Sequence, residues 1–349
     1  MPGPERLTER ELRVLEAVVR AYVRTAEPAG SQVLAREAGL GVSPATIRNT
    51  MSDLEERGYL FHPHTSAGRI PTDLGYRTFV DGVVRPTLPT ETEQERLRLE
   101  LHAASTANAL ETILRRAAQV LGVLTQELGM AAAPALEQTL LDRIELVPVA
   151  ADRLLLVFTL RSGVVRTIFV QVPSTLPAEA VQRVGQLLNE RLAGHTLAEI
   201  RRTVRERLRD VRGADADREL VNIFIAQGDE LLEFADDAGQ GVLLGSASLL
   251  ADQPEFTGSN ERMRDLLSLT ERRDLLATAL GERARRGLTI TIGGENPDPR
   301  LAGFTLVTAS YRLGDVKGVI GVLGPTRMPY DKIVSLVDHT SRLVEGLFA

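Results

Sequence analysis

Ala45, Thr46, Arg48, Asn49 and Ser52 lie within eight residues, and their types suit one chemistry: hydrogen bonding to the edges of bases. Asn can make a bidentate pair with adenine, Arg with guanine, and Ser or Thr with either, while a small Ala lets a helix axis come close. Such side chains act together only if a helix carries them. Ser43 can accept a hydrogen bond from an orphan amide, Pro44 fits the first helical position, and Gly58 suits a left-handed stop, so the spacing predicts a helix of about four turns. At roughly 100° per residue Ile47, Met51 and Leu54 form an apolar stripe. Ala45, Asn49, Ser52 and Glu56 then point away from it, with Thr46 and Arg48 on the flanks. This free side fits a DNA major groove.

The neighbouring segments supply a frame for that helix. Thr8 and Glu11 have capping-box spacing ahead of a helix running to about Arg24, whose Leu12, Leu15, Val18 and Val19 space like a core side. Ser31 is expected to cap a short second helix through Ala38, and Gly39-Leu40-Gly41 turns into the third, which is a helix-turn-helix plan. After it, Tyr59-Leu60-Phe61 reads as a strand, and residues 62–71 read as a hairpin wing. Ser43, His64, Arg69 and Arg77 are the candidates for contacts to DNA backbone or for a role in the wing. Thr72-Asp73 opens another helix, with Tyr76, Phe79, Val80 and Val83 facing the domain.

Ser43-Pro44-Ala45-Thr46-Ile47-Arg48-Asn49, Leu54-Glu55-Glu56-Arg57-Gly58-Tyr59-Leu60, Thr65-Ser66-Ala67-Gly68-Arg69-Ile70-Pro71-Thr72 and Gly75-Tyr76-Arg77 together resemble the N-terminal domain of the heat-inducible transcription repressors called HrcA. The resemblance extends through Gly293-Gly294-Glu295-Asn296 to the stretch from Ile320 to Met328. It implies an α+β, multidomain chain with three parts: an N-terminal winged helix-turn-helix, a GAF-like α/β domain with an antiparallel sheet, and a mostly helical inserted dimerisation domain. The expected boundaries are 1–85 for DNA binding, 86–193 and 287–349 for the two parts of the GAF-like domain, and 194–286 for the insert. It also implies negative regulation of heat-shock chaperone operons by a cytoplasmic homodimer on an inverted-repeat, CIRCE-type operator in double-stranded DNA, with the GroE chaperonin as a partner. No cofactor and no small-molecule ligand is expected. The alternative within regulation is a metabolite-controlled, GAF-containing winged-helix repressor. An enzyme in the C-terminal two thirds is the rival of another class.

Composition is consistent with this outline. The 349 residues allow two or three domains, and 43% hydrophobic content is globular. No apolar run reaches the length of a membrane span, so no membrane partner is expected. The absence of Cys removes disulfides, thiolate metal sites and cysteine nucleophiles. Net charge is −6, yet residues 1–85 balance 11 Arg against 11 Asp and Glu, so the acidic excess lies entirely beyond them. A neutral DNA-binding unit has a weak electrostatic footprint, which favours a protein that binds as two copies.

The rest of the chain changes period twice. Pro86-Thr87-Leu88-Pro89 is a stiff linker. A polar helix and an apolar-striped one follow, the stripe running from Leu110 to Leu128 at three and four spacing. Residues 142–149, 153–160 and 164–172 read as a three-stranded meander, and 288–292, 304–313 and 316–323 as three more strands. A helical stretch between them contains a cap at Thr196 with Glu199, a helix from Asp217 to Phe234, and a strand between Gly241 and Leu250. The long gap suggests one sheet interrupted by an insertion. His62 and His64 lack carboxylate or cysteine companions for a metal, no phosphate-binding Gly-x-x-x-x-Gly-Lys loop or Gly-x-Ser-x-Gly elbow exists, and Gly293-Gly294 reads as a turn. No pair of carboxylates stands out as a catalytic couple.

Overall fold

The computed structural model describes residues 7–63, 68–85, 88–105, 110–134, 136–172, 176–210, 214–232 and 241–348. The N-terminal unit is built from α1 (Glu9–Thr25), α2 (Ser31–Glu37) and α3 (Pro44–Glu56), then a hairpin of β1 (Leu60–Phe61) and β2 (Ile70–Pro71), then α4 (Asp73–Gly82). Thr8 and Glu11 form the expected reciprocal cap on α1. α2 differs: Gly30 occupies its cap position without a side-chain hydrogen bond, and Ser31 is the first helical residue, buried rather than capping. Val14, Leu15, Val18 and Val19 of α1 pack with Leu34, Ile47, Met51 and Leu54 into one core.

Beyond the linker run α5 (Glu91–Ser105) and α6 (Leu110–Thr125), followed by β3 (Leu128–Ala132). The apolar stripe was expected to continue through Leu128 as helix. Instead the chain reverses at Gln126, with φ of 61°, and residues 128–132 become a strand. That strand sits inside a five-stranded antiparallel sheet of order β7-β3-β10-β9-β8, formed with β7 (Val242–Leu244), β8 (Thr289–Ile292), β9 (Phe304–Leu313) and β10 (Val316–Pro325). Period-two alternation gives the sheet two apolar faces. Ala131, Val307, Ala309, Ile320 and Val322 pack in the cluster that contains α6 and the closing helix, Tyr330–Gly346. Leu128, Met130, Val242, Leu306, Val319 and Leu323 belong to a second cluster.

The meander is β4 (Leu141–Ala150), β5 (Arg153–Leu160) and β6 (Val165–Gln171), and among the described residues these strands pair with no strand of the other sheets. This corrects the expectation of one interrupted sheet. α7 (Ala178–Leu192), α8 (Leu197–Arg207) and α9 (Asp215–Leu232) go with the meander: α7 packs on β4, and α9 packs on α7 and α8. Leu154, Leu156, Phe158 and Leu160 are the buried side of β5. The later helices, α10 (Ser248–Ala251), α11 (Pro254–Thr257), α12 (Asn260–Glu271) and α13 (Arg273–Gly281), cover the second face of the five-stranded sheet instead, with the closing helix as α14. Residues 194–286 are therefore divided between two sheets, because helices follow whichever apolar face they can bury. Among the described residues, no helix is long and apolar enough to cross a membrane.

Candidate nucleic-acid interface

α3 is fixed at both ends by its own sequence. The Ser43 hydroxyl accepts the Thr46 N–H at 3.2 Å, Pro44 begins the helix, and Gly58 takes φ of 80° just beyond it. Ile47, Met51 and Leu54 are at most 2% exposed, so the helix is anchored by one stripe and cannot rotate without exposing it. Thr50 completes the buried side and donates its hydroxyl to the Thr46 carbonyl at 3.1 Å. Ala45, Arg48 and Asn49 are exposed on the opposite side, beside the exposed Ser43 and the half-buried Thr46 and Ser52. Arg48 makes no ion pair among the described residues, which leaves its guanidinium available.

The hairpin grips the far end of this face. Arg69 pairs through its backbone with Ala29, with hydrogen bonds of 2.9 and 3.0 Å. Its guanidinium turns inward, 2.9 Å from Glu55 Oε2 and 3.3 Å from Ser52 Oγ, with the side chain only 13% exposed. The second Glu55 oxygen meets His62 Nδ1. Ser52 also donates to the Arg48 carbonyl at 3.2 Å. Arg69 was a candidate for phosphate or for a role in the wing; here it takes the second role, tying the hairpin to α3, since its Nη2 already meets a carboxylate and a hydroxyl and the side chain is largely buried. His64 lies outside the described residues.

Arg77 also departs from expectation. Its Nε donates to Glu295 Oε1 at 2.7 Å, its Nη2 to the Ile290 carbonyl at 2.8 Å and its Nη1 to Asp81 at 2.9 Å. It thus holds α4 to the turn after β8 instead of facing a phosphate. On the same turn the Gly294 N–H donates to Asp73 Oδ2 at 2.8 Å. Gly293 has φ of 52°, which favours glycine, and a Cβ there would stand 2.1 Å from that carboxylate oxygen, so any side chain would have to displace Asp73. Burial alone would raise the Glu295 carboxyl, but hydrogen bonds from Arg77 and the Ile292 N–H, with the charge of Arg77, hold it below its ordinary value.

Further contacts complete this junction between the N-terminal unit and the five-stranded sheet. Arg20 Nη1 lies 3.0 Å from Asp331, and Arg327 donates to the Val23 carbonyl at 2.8 Å while pairing with the half-buried Glu255. Tyr76 and Tyr330 stack at a tilt, 6.0 Å between ring centres, both almost fully buried. None of this pairing was foreseen. The available signal was the Gly293-Gly294-Glu295 turn, whose complement on α4 lies more than 200 residues away. Among the described residues no group of three His, Asp or Glu side chains could hold a metal ion.

A capped helix with a small, hydrogen-bonding free side, carried on a compact helical unit joined to a larger sheet unit, defines a multidomain transcription regulator. Comparison with known proteins gives the family. The model of the HrcA protein C-terminal domain matches residues 111–334. The heat-inducible transcription repressor HrcA of Chlorobium phaeobacteroides (strain BS1) is 37% identical over 345 residues, covering 95% of this chain and 96% of the relative. The protein of the same name from Symbiobacterium thermophilum is 39% identical over 340 residues, with 95% and 96% covered. A crystal structure described as that of a hypothetical protein at 2.2 Å resolution shares the fold, with a TM-score of 0.66, 23% identity and coverage of 98% and 99%. The chain belongs to the HrcA family of heat-inducible transcription repressors, which are not enzymes.

Proposed function

We propose that this repressor binds, as a cytoplasmic homodimer, an inverted-repeat operator of the CIRCE type ahead of chaperone operons. The observation that carries the reading is the exposed side of α3, where Ala45, Arg48 and Asn49 stand clear of the protein with Thr46 beside them. In this reading Arg48 and Asn49 make the base contacts that discriminate, Ala45 and Thr46 set the approach, Ser52 lies at the edge of the face, and Ser43 meets a phosphate. Residues 1–85 act as the winged-helix DNA-binding unit. The dimerisation insert corresponds to β4 through α9, and the five-stranded sheet with its helices to the GAF-like domain.

A second copy is supported by the meander's outer face, where Val147, Val149, Val165 and Phe169 are 42%, 55%, 49% and 64% exposed. Two-fold pairing would present two α3 helices to two half-sites, doubling the few phosphate contacts that a neutral unit offers. GroE enters by mass action: a repressor of marginal stability that needs refolding help loses its binding-competent population when heat-damaged clients occupy the chaperonin.

The test is a mobility-shift titration on an inverted-repeat chaperone-promoter fragment and on scrambled DNA, at several salt concentrations. Arg48→Ala and Asn49→Ala should each reduce discrimination by about 1–3 kcal/mol at one base pair. Equal losses on both DNAs would refute their role in base reading. Repression indifferent to the chaperonin level would remove the GroE part.

A further inference from the structure

The second face of the five-stranded sheet is left partly uncovered near β7. α13 sends Leu276 and Leu280 into the core, but its flank carries Ala277 and Gly281, and Ala284 follows just beyond the helix. With no large side chain at these three positions, a cleft of about 590 Å³ remains between α13, the strands at Ala132 and Val242, and the β9–β10 turn. That volume lies in the range of small-molecule sites, about 300–1,000 Å³.

The cleft has an apolar floor and a charged rim. Val319 is on the floor, and strand alternation puts Lys317 on the same side of β10. Arg285 rises from the opposite wall, and Asp315 is the single acidic group lining the cleft among the described residues. Lys317 and Arg285 are exposed, and neither makes an ion pair or side-chain hydrogen bond among the described residues. Two unpaired cations above small apolar side chains match a molecule with an anionic head and a short apolar body.

We infer that this cleft binds a small amphiphilic anion, its carboxylate or phosphate held between Lys317 and Arg285 and its chain lying along Ala277, Gly281 and Val319. This goes beyond operator binding and does not depend on it, since the test contains no DNA. The full-length protein is titrated calorimetrically with octanoate, octyl phosphate, inorganic phosphate and octanol. At least one octyl anion should saturate at one per chain, and comparing the two tells which headgroup the site takes. Inorganic phosphate and octanol should bind about tenfold more weakly or worse, each lacking half of the match.

Gly281→Leu should weaken binding about tenfold or more by placing a bulky side chain where the ligand's apolar body would lie. A Cβ at Gly281 meets no atom within 4 Å, so the backbone accepts the change. If that variant fails to fold, Lys317→Glu at an exposed strand position carries the test, with an expected loss of about tenfold. Glu190→Gln, exposed on α7, should leave binding unchanged. Absence of saturable binding by both octyl anions, wild-type binding in Gly281→Leu and Lys317→Glu, or binding lost only in Glu190→Gln would each overturn the inference.

Discussion

The Arg77–Glu295 pair holds the N-terminal unit against the sheet, and its strength can be worked from the contacts. Charge-assisted hydrogen bonds shielded from water contribute about 1.5–3 kcal/mol each, whereas exposed ion pairs contribute about 0–1 kcal/mol. Arg77 is 26% exposed and Glu295 33%, so an intermediate coupling of about 1.5 kcal/mol is expected. Arg77→Ala alone should cost more, about 2–3 kcal/mol, because the Ile290 carbonyl also loses its donor. A single melting curve is the wrong reporter for a chain with several units. Native-state hydrogen exchange at the Gly294 amide is better, since that amide bonds to Asp73 only while the units are docked.

A double-mutant cycle with Arg77→Ala and Glu295→Ala should show the second change costing about tenfold less protection once the first is made. Additivity within about 0.5 kcal/mol would refute the pairing as an energetic link. The pH dependence has a definite sign. Glu295 is held below its ordinary value of 4.5, so its contribution is present above that value and is lost as pH falls through the lower folded value. Coupling that persists unchanged in acid would contradict the electrostatic account.

Three further outcomes are expected. Gly293→Ala should destabilise docking by about 2 kcal/mol or more, from left-handed strain and collision with Asp73, read as faster exchange at Gly294; wild-type exchange would show that the turn has room. Glu127→Gln should raise stability at neutral pH. Burial pushes the Glu127 carboxyl well up, so its favourable contribution is full below the unfolded value and declines as pH rises, while the amide can still accept from Gln253; native-state hydrogen exchange of the β3–β10 ladder that shows the same protection in variant and wild type at pH 5 and pH 8, after correction for intrinsic rates, would refute this. Phe169→Asp should shift the sedimenting species from dimer to monomer if the meander face joins two copies, and an unchanged dimer would exclude that face.

Short-range chemistry made much of the N-terminal unit legible. A cap, a proline and a stop specify α3 from within, and one apolar stripe decides which side it buries, so the orientation of Arg48 and Asn49 follows from their spacing. Arg69 and Arg77, read as phosphate or wing candidates, find protein partners that the sequence left hidden, for the opposite reason. Nothing beside Arg69 or Arg77 in sequence announces Ser52 and Glu55 in the first case, or Glu295 in the second.

The same limit explains β3. Leu-Gly-Met-Ala-Ala has no strand preference of its own and continues a helical stripe, yet it lies inside the five-stranded sheet because β10 and β7 offer it hydrogen bonds on both edges. Gly129 is needed there: a Cβ would stand 1.9 Å from the Ala118 carbonyl of α6. The sequence by itself determined the elements that close their own hydrogen bonds within a few residues, together with the face each helix buries. Only the tertiary structure decided which strands share a sheet, which sheet each later helix covers and where the arginines find their acids, because those partners are brought together by burial across long stretches of chain.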